Sequence, residues 1–166
     1  EIVAGLVSNI ADNRALMSFL PAFVFLVGAF LAFATGTSWG TFGILIPIVV
    51  NVFGSDMNNE LMIIAISACM AGAVCGDHCS PISDTTIMAS AGANCNHVSH
   101  VSTQLPYATT VAVVSAISYV IAGYVSSPVI PLIVGVVLLL GTLFFLRGRE
   151  GSYRVPDSAN FNNAAE

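Results

Sequence analysis

Long apolar segments separated by short polar interruptions make up most of the chain. Residues 16–34 are apolar on all sides, with no polar stripe at the helical period, which predicts a helix surrounded by lipid and protein. The other apolar segments follow at 42–53, 61–75, 87–95, 107–126 and 129–146. The last two predict ordinary spans of the ~20 residues that cross a bilayer, whereas the first three are too short to cross alone.

The first interruption, TGTSWGT at residues 35–41, places two glycines and four hydroxyl side chains in a row. We expect a re-entrant hairpin or a broken helix here. Within hydrocarbon, such a break is tolerated only where it is buried in protein or lines a wet cavity.

The second interruption, CGDHCSPISDTT at residues 75–86, contains a helix-breaking proline. Pro81 has no N–H, and its ring clashes with the carbonyl four residues earlier. We therefore expect a helix that stops at Gly76, an unwound loop of about seven residues and a second helix. Ser83 or Asp84 is the predicted N-cap of that second helix.

The composition favours lipid as the solvent of this fold. Hydrophobic residues make up 56% of the chain and charged residues 8%, against roughly 25% charged residues in soluble domains. The chain has no lysine, and its four arginines leave no basic patch for nucleic acid. These observations predict an all-α polytopic membrane protein in the cell membrane.

Two arginines at the end of the last span predict the orientation. Arg147 and Arg149 place the C-terminus in the cytoplasm by the positive-inside rule, and the loop at 54–60 would then lie outside. We expect a transmembrane domain over 1–146 and a polar, disordered cytoplasmic tail over 147–166. Because the chain opens on Glu1, without an initiator methionine or a signal peptide, we expect a piece of a longer protein.

Oxygen-bearing side chains surround the predicted break at Pro81. Transporters bind cations at such breaks, where one half helix ends in free carbonyls and the next begins with free N–H groups. Hard oxygen ligands are available from Asp77, Ser80, Ser83, Asp84, Thr85 and Thr86, and in the first interruption from Thr35, Thr37, Ser38 and Thr41. The two interruptions together predict a site for an alkali cation.

Asp77 and Asp84 are costly within a membrane, at roughly 2.5 to 3.5 kcal/mol each. No lysine or arginine of the chain can neutralise them at that depth, which leaves a bound cation or a bound proton. A carboxylate that holds either Na⁺ or H⁺ suits an antiporter, because the two ions compete for one site. His78 is a candidate proton relay. An N-cap role for Asp84 and an interfacial position for Asp77 remain alternatives.

Cysteine and histidine residues near the break make zinc binding an alternative to binding of an alkali cation. Cys75, His78 and Cys79 are close in sequence, and Cys95, His97 and His100 follow. We expect no zinc site, because the proline and the nearby oxygens suit a hard cation better. The four cysteines are read as small buried thiols, and His97 and His100 as interfacial residues on an amphipathic segment, 96–106.

Two long motifs resemble one family of transporters. ATGTSWGTFGILIPIV (34–49) and GAVCGDHCSPISDTTIMASAGANCNHVSHVSTQLPYA (72–108) are similar to the C-terminal half of NhaC-type sodium/proton antiporters, within the ion-transporter superfamily. The resemblance implies one of two inverted-repeat halves, with a re-entrant helical hairpin and a discontinuous transmembrane helix. The ion-binding positions that it implies are Thr37, Ser38, Asp77, Ser80, Ser83, Asp84 and Thr85.

The function expected from residues and resemblance is secondary active exchange of sodium for protons, not enzymatic catalysis. No cofactor is expected, since Na⁺ and H⁺ are the transported ions. The expected partners are the lipid bilayer and an N-terminal half of the same protein, and the sequence leaves a homodimer open. An alternative is a Na⁺- or H⁺-coupled exchanger of a small carboxylate, such as malate or lactate, or of an amino acid, and a zinc-binding membrane module is a third.

Overall fold

The structure, a computed structural model, describes residues 14–53, 60–125 and 129–150, with side chains over 17–53, 60–125 and 129–145. These residues form six helices and no strand. In chain order they are α1 (Arg14–Thr35), α2 (Ser38–Phe53), α3 (Glu60–Cys79), α4 (Asp84–Gly92), α5 (His97–Tyr124) and α6 (Val129–Glu150). The all-α prediction is confirmed for this part of the chain.

Three of these helices are long and apolar enough to cross a membrane: Met17–Thr35 within α1, the whole of α3 and the whole of α5. The expectation that residues 61–75 form too short a helix was wrong, because α3 has 20 residues and continues to Cys79. Helix α2 and the apolar part of α6 are shorter. The predicted loop at 54–60 lies outside the described residues except for Glu60.

Helix α5 joins two segments that the sequence pattern separated. Residues 97–106 of the polar segment and the predicted span from 107 form one helix of 28 residues, His97–Tyr124. Asn96 caps its start, because its side-chain oxygen accepts a 3.2 Å hydrogen bond from the Ser99 N–H. Pro106 lies inside the helix without ending it. At 1.5 Å per residue, α5 is roughly 42 Å long, more than the ~30 Å of a hydrocarbon core.

Small residues let α1 and α3 cross at close range. A Cβ atom added at Gly72 or Gly76 would overlap the carbonyl oxygen of Phe25 or Ala29, respectively. The reciprocal residue on α1 is Gly28, where an added Cβ would lie 3.1 Å from the Cys69 carbonyl oxygen. Membrane helices commonly associate through such small residues at a spacing of four.

Gly76 therefore packs inside α3, and the prediction that the helix stops at this residue was wrong. A helical glycine costs only about 1 kcal/mol relative to alanine. Close contact with α1 outweighs that cost, so the helix continues for three more residues, to Cys79.

A two-residue turn joins α1 to α2. Gly36 has a φ of +68°, and its N–H donates a 2.8 Å hydrogen bond to the Ala32 carbonyl, as in a helix C-terminus closed by a left-handed residue. Thr37 then precedes α2, which begins at Ser38. The interruption is thus shorter than the seven residues expected from its composition, because Ser38 to Thr41 already belong to α2.

The C-terminal end of α6 extends into the predicted tail. The helix continues through Glu150, so residues 147–150 have a helical backbone. The side chains of Arg147 and Arg149, and residues 151–166, lie outside the described part of the chain.

Candidate functional site

The segment between α3 and α4 is unwound over four residues, Ser80 to Ser83. Helix α3 ends at Cys79, two residues before Pro81, whose ring would clash with the Asp77 carbonyl in a continued helix. The Ser80 N–H donates a 3.0 Å bond to that carbonyl and tightens the last turn. The loop is shorter than the predicted length because α3 passes through Gly76 to Cys79.

The structure brings this unwound segment against the turn between α1 and α2. The fully buried Ser80 donates a 2.8 Å hydrogen bond from Oγ to the Phe33 carbonyl, near the C-terminal end of α1. Gly36 touches the same segment, since an added Cβ would lie 3.0 Å from the Ile82 carbonyl oxygen. Two interruptions that are more than forty residues apart in sequence therefore meet in the fold.

Asp77 carries a buried oxygen without a partner. Its side chain is half-buried, and Oδ1 lies out of solvent with no hydrogen-bond partner. A buried polar atom left unpaired costs about 1–3 kcal/mol, and more when it is charged. Asp77 also lies in the last turn of α3, where the negative end of the helix dipole disfavours a second negative charge. Asp77 is thus a carboxylate with an unpaired buried oxygen, placed beside the unwound segment.

Asp84 has a different environment. It is exposed in the described chain and is the first residue of α4, where the positive end of the helix dipole favours a carboxylate. Thr85 follows it and is also exposed, whereas Thr86 is buried. The two aspartates therefore flank the unwound segment from opposite helix ends.

Ser83 occupies the N-cap position of α4 without capping it. Its backbone is extended there, with φ −71° and ψ 136°, but its side chain makes no bond to a backbone N–H. The buried Ser83 Oγ instead lies 2.8 Å from Thr85 Oγ1. The predicted N-cap position is right, but the expected capping bond is absent.

Thr37 and Ser38 lie at the start of α2. Thr37 Oγ1 accepts a 3.3 Å bond from the Gly40 N–H, and the Thr37 carbonyl accepts a 2.9 Å bond from Thr41 Oγ1. Thr37 is exposed and Ser38 is half-buried. The Thr37 hydroxyl thus already has a structural role as a helix cap, next to the turn that contacts Ile82.

Two carbonyls of the break are already hydrogen bonded by side chains. The His78 carbonyl accepts a 2.8 Å bond from Gln104 Nε2 and a 3.3 Å bond from Thr86 Oγ1. The Pro81 carbonyl lies 2.7 Å from His97 Nε2. The sequence predicted open carbonyls and did not identify His97 or Gln104, whose partners are 16 and 26 residues away along the chain.

The side chain of His78 lines a groove between α1, α3 and α5. The groove has a volume of about 620 Å³ and is mainly apolar. Its polar lining includes His78, Gln104 and Tyr107. The exposed His78 ring is therefore accessible from this groove, as a proton relay requires.

The cysteines and histidines do not form a metal centre within the described ranges. No group of three or more His, Cys, Asp or Glu side chains there is arranged to hold a metal ion. Cys69 is buried, Cys75 and Cys79 are half-buried, and all four cysteines are free thiols. Cys95 differs from the predicted buried state, since it is exposed. His100 is half-buried on α5.

Comparison with known proteins relates this chain to transporters. The sequence profile of the Na⁺/H⁺ antiporter family matches residues 1–124. An uncharacterized protein of Haemophilus influenzae is 48% identical over 142 residues, which are 86% of this chain and 27% of that protein. No solved structure matches the chain.

Two further relatives carry functional names. An uncharacterized Na⁺/H⁺ antiporter of H. influenzae is 34% identical over 108 residues, covering 62% of this chain and 22% of the relative. The malate-2H⁺/Na⁺-lactate antiporter of Bacillus subtilis is 32% identical over 99 residues, covering 60% of this chain and 21% of the relative. The chain thus spans about a quarter of the length of the relatives that it matches. These matches confirm the resemblance indicated by the two motifs.

Proposed function

Because the chain belongs to the Na⁺/H⁺ antiporter family, we propose that it supplies the cation-binding half of a secondary transporter that exchanges Na⁺ for H⁺. Family membership places it among membrane transport proteins rather than enzymes.

The observation that carries this proposal is the unpartnered, buried Oδ1 of Asp77. A carboxylate at the negative end of α3 needs a positive ligand, and the chain has no lysine or arginine between Arg14 and Arg147. A sodium ion or a proton can each neutralise it. Since only one of them can do so at a time, binding of Na⁺ releases H⁺.

Neighbouring oxygens complete the proposed site. Asp84 supplies the second carboxylate at the opposite side of the break, and hydroxyl groups of the two interruptions are additional ligands. The proposed hydroxyl ligands are those of Ser80, Ser83, Thr85, Thr37 and Ser38. Support comes from the contact between the interruptions at Ser80 and Gly36. His78 relays protons between Asp77 and the groove that its ring lines.

In the proposed membrane arrangement, both interruptions belong to the same repeat of the transporter. Helices α1 and α2 form a re-entrant hairpin, and α3 and α4 form a discontinuous transmembrane helix, the arrangement by which many transporters place ion sites at the midplane. A second, related half is supplied by the rest of the protein, in the cell membrane. Arg147 and Arg149 favour a cytoplasmic C-terminus, which labelling of Ser158→Cys with an impermeant maleimide would test.

Sodium-driven proton flux in proteoliposomes carrying the full-length protein tests the proposal. We expect an imposed Na⁺ gradient to drive proton movement in the wild type, and Asp84→Asn to reduce the rate by at least about tenfold, because one of the two site charges is lost. Glu60→Gln is the matched control, since Glu60 is an exposed carboxylate at the start of α3. Equal rates in Asp84→Asn and the wild type would contradict the proposed site.

Exchange of a small carboxylate is the second candidate function. It is favoured by the similarity to a relative named as a malate-2H⁺/Na⁺-lactate antiporter. Counterflow of radiolabelled malate against internal lactate distinguishes the two functions. Malate uptake that depends on internal lactate would favour carboxylate exchange, whereas Na⁺-driven proton flux without either organic acid favours cation exchange alone.

A further inference from the structure

Two side chains of α5 reach across to the break in α3 and α4. His97 is the first residue of α5, and its Nε2 lies 2.7 Å from the Pro81 carbonyl oxygen. Gln104 lies seven residues later and donates a 2.8 Å bond from Nε2 to the His78 carbonyl. Residues seven apart are separated by almost two full helical turns, so both side chains lie on the same face of α5.

The chemistry of the two contacts fixes which atom donates. A backbone carbonyl can only accept, so His97 must carry its hydrogen on Nε2, and Gln104 must present its amide NH₂ group. The second ring nitrogen of His97, Nδ1, lies 3.0 Å from Ser90 Oγ on α4. His97 therefore connects α5 to the unwound segment and to α4 at the same time.

The two carbonyls that accept these hydrogen bonds belong to different parts of the break. The His78 carbonyl belongs to the last turn of α3, next to Asp77, and the Pro81 carbonyl belongs to the unwound segment between Ser80 and Ser83. Helix α5 thus holds both the end of α3 and the loop that follows it. These two contacts therefore tie α5 to the backbone that carries Asp77 and the two serines.

We propose that His97 and Gln104 form a two-donor clamp by which α5 positions the cation site. The proposal rests on the exchange function proposed above. His97 and Gln104 are positioning residues, because their contacts are to the backbone of the break and not to the ion. Their loss weakens Na⁺ binding by letting the oxygen ligands separate.

Substitutions that differ in side-chain length or in donor capacity distinguish a clamp from a general contribution to stability. The amide of His97→Gln can place a donor near the position of Nε2, whereas that of His97→Asn reaches only as far as Nδ1. Gln104→Glu keeps the shape of the side chain but replaces the donor by an oxygen that cannot donate when ionised. His100→Asn is the control, since its half-buried ring lies one turn further along α5 and makes none of the bonds to the break described above.

The experiment measures the apparent KM for Na⁺ and the maximal rate of Na⁺-driven proton flux by the full-length protein in proteoliposomes. We expect His97→Asn and Gln104→Glu to raise KM by about tenfold, the factor that corresponds to one lost hydrogen bond to a backbone carbonyl. His97→Gln should recover KM to within about threefold of the wild type, and His100→Asn should leave it unchanged.

A second readout covers variants that transport too slowly to measure. The thermal unfolding temperature of each purified variant is recorded against NaCl concentration, with choline chloride as the ionic-strength control, because a ligand stabilises the folded state according to its affinity. A clamp variant should need about tenfold more Na⁺ for the same stabilisation. If His97→Asn does not fold, the Na⁺ dependence of the Gln104→Glu protein tests the clamp.

The possible failures are distinguishable. A wild-type protein without Na⁺-driven proton flux contradicts the proposed exchange function itself. The clamp is overturned by a different set of results. In these, the wild type exchanges Na⁺ for H⁺, and Gln104→Glu and any His97→Asn protein that folds keep the wild-type KM for Na⁺ and the wild-type dependence of the unfolding temperature on NaCl. Equal loss in His97→Gln and His97→Asn also overturns it, because the position of the donor would then be irrelevant.

Discussion

Asp77 and Asp84 have opposite electrostatic surroundings although they are only seven positions apart in the sequence. Asp84 gains from the N-terminal end of the α4 dipole and is exposed. Asp77 lies at the negative end of α3 with one oxygen buried and unpaired. Asp77 is therefore the carboxylate that we propose as the centre of the exchange site.

Neutralising Asp77 should stabilise the ion-free protein. Where neither Na⁺ nor a proton neutralises the wild-type carboxylate, Asp77→Asn removes a charge that has no partner on Oδ1, so we expect a higher unfolding temperature in choline chloride at alkaline pH, corresponding to about 1–3 kcal/mol. The same variant should lose the additional stabilisation that the wild type gains from NaCl. Both effects are measured by thermal unfolding of the purified full-length protein in detergent.

The matched variant is Asp84→Asn. Because Asp84 is exposed and favoured by its helix end, its neutralisation should leave the stability of the ion-free protein unchanged or slightly lower. At alkaline pH without Na⁺, an Asp77→Asn protein that is less stable than the wild type would contradict the interpretation of its buried oxygen.

At the scale of helices, the contact between α1 and α3 places the break in space beside the end of α1. Gly72 and Gly76 allow α3 to approach the backbone of α1 at Phe25 and Ala29. This approach carries the end of α3 to the end of α1, where Ser80 bonds to the Phe33 carbonyl. The close crossing therefore aligns the two interruptions.

Adding one methyl group at this crossing should separate the helices. We expect Gly76→Ala to lower the stability by roughly 1–3 kcal/mol, because the new Cβ overlaps the Ala29 carbonyl oxygen. Gly43→Ala in α2 is the control. Its Cβ would have no neighbouring atom within 4 Å, and the better helix propensity of alanine should raise the stability by at most about 1 kcal/mol. Thermal unfolding in detergent measures both changes. Equal effects of the two substitutions would show that the crossing tolerates a larger residue.

The sequence predicts the elements better than their contacts. Apolar segments identify the helices, and Pro81 predicts an end to α3 because its ring acts on its own chain. Gly76 was misread because glycine suits both a helix end and a close helix crossing, and only the position of Ala29 decides between them. His97 and Gln104 could not be identified, since their partner carbonyls become neighbours only in the folded protein.

At the scale of the whole molecule, large apolar side chains remain exposed in the described chain. Phe30 is 72% exposed, Trp39 82% and Phe144 70%. Apolar surface of this kind needs lipid or another protein surface to cover it. This fits a membrane protein of the antiporter family, and the chain spans about a quarter of the length of the relatives that it matches.

The central claim is that Na⁺ and H⁺ compete for one site built around Asp77. Proton release tests it most directly: NaCl is added to the purified full-length protein in weakly buffered detergent solution, and a pH-sensitive dye records the protons released. We predict release from the wild type with NaCl but not with choline chloride, and no release from Asp77→Asn. Sodium binding by the wild type without proton release, or the same release from Asp77→Asn, would contradict the claim.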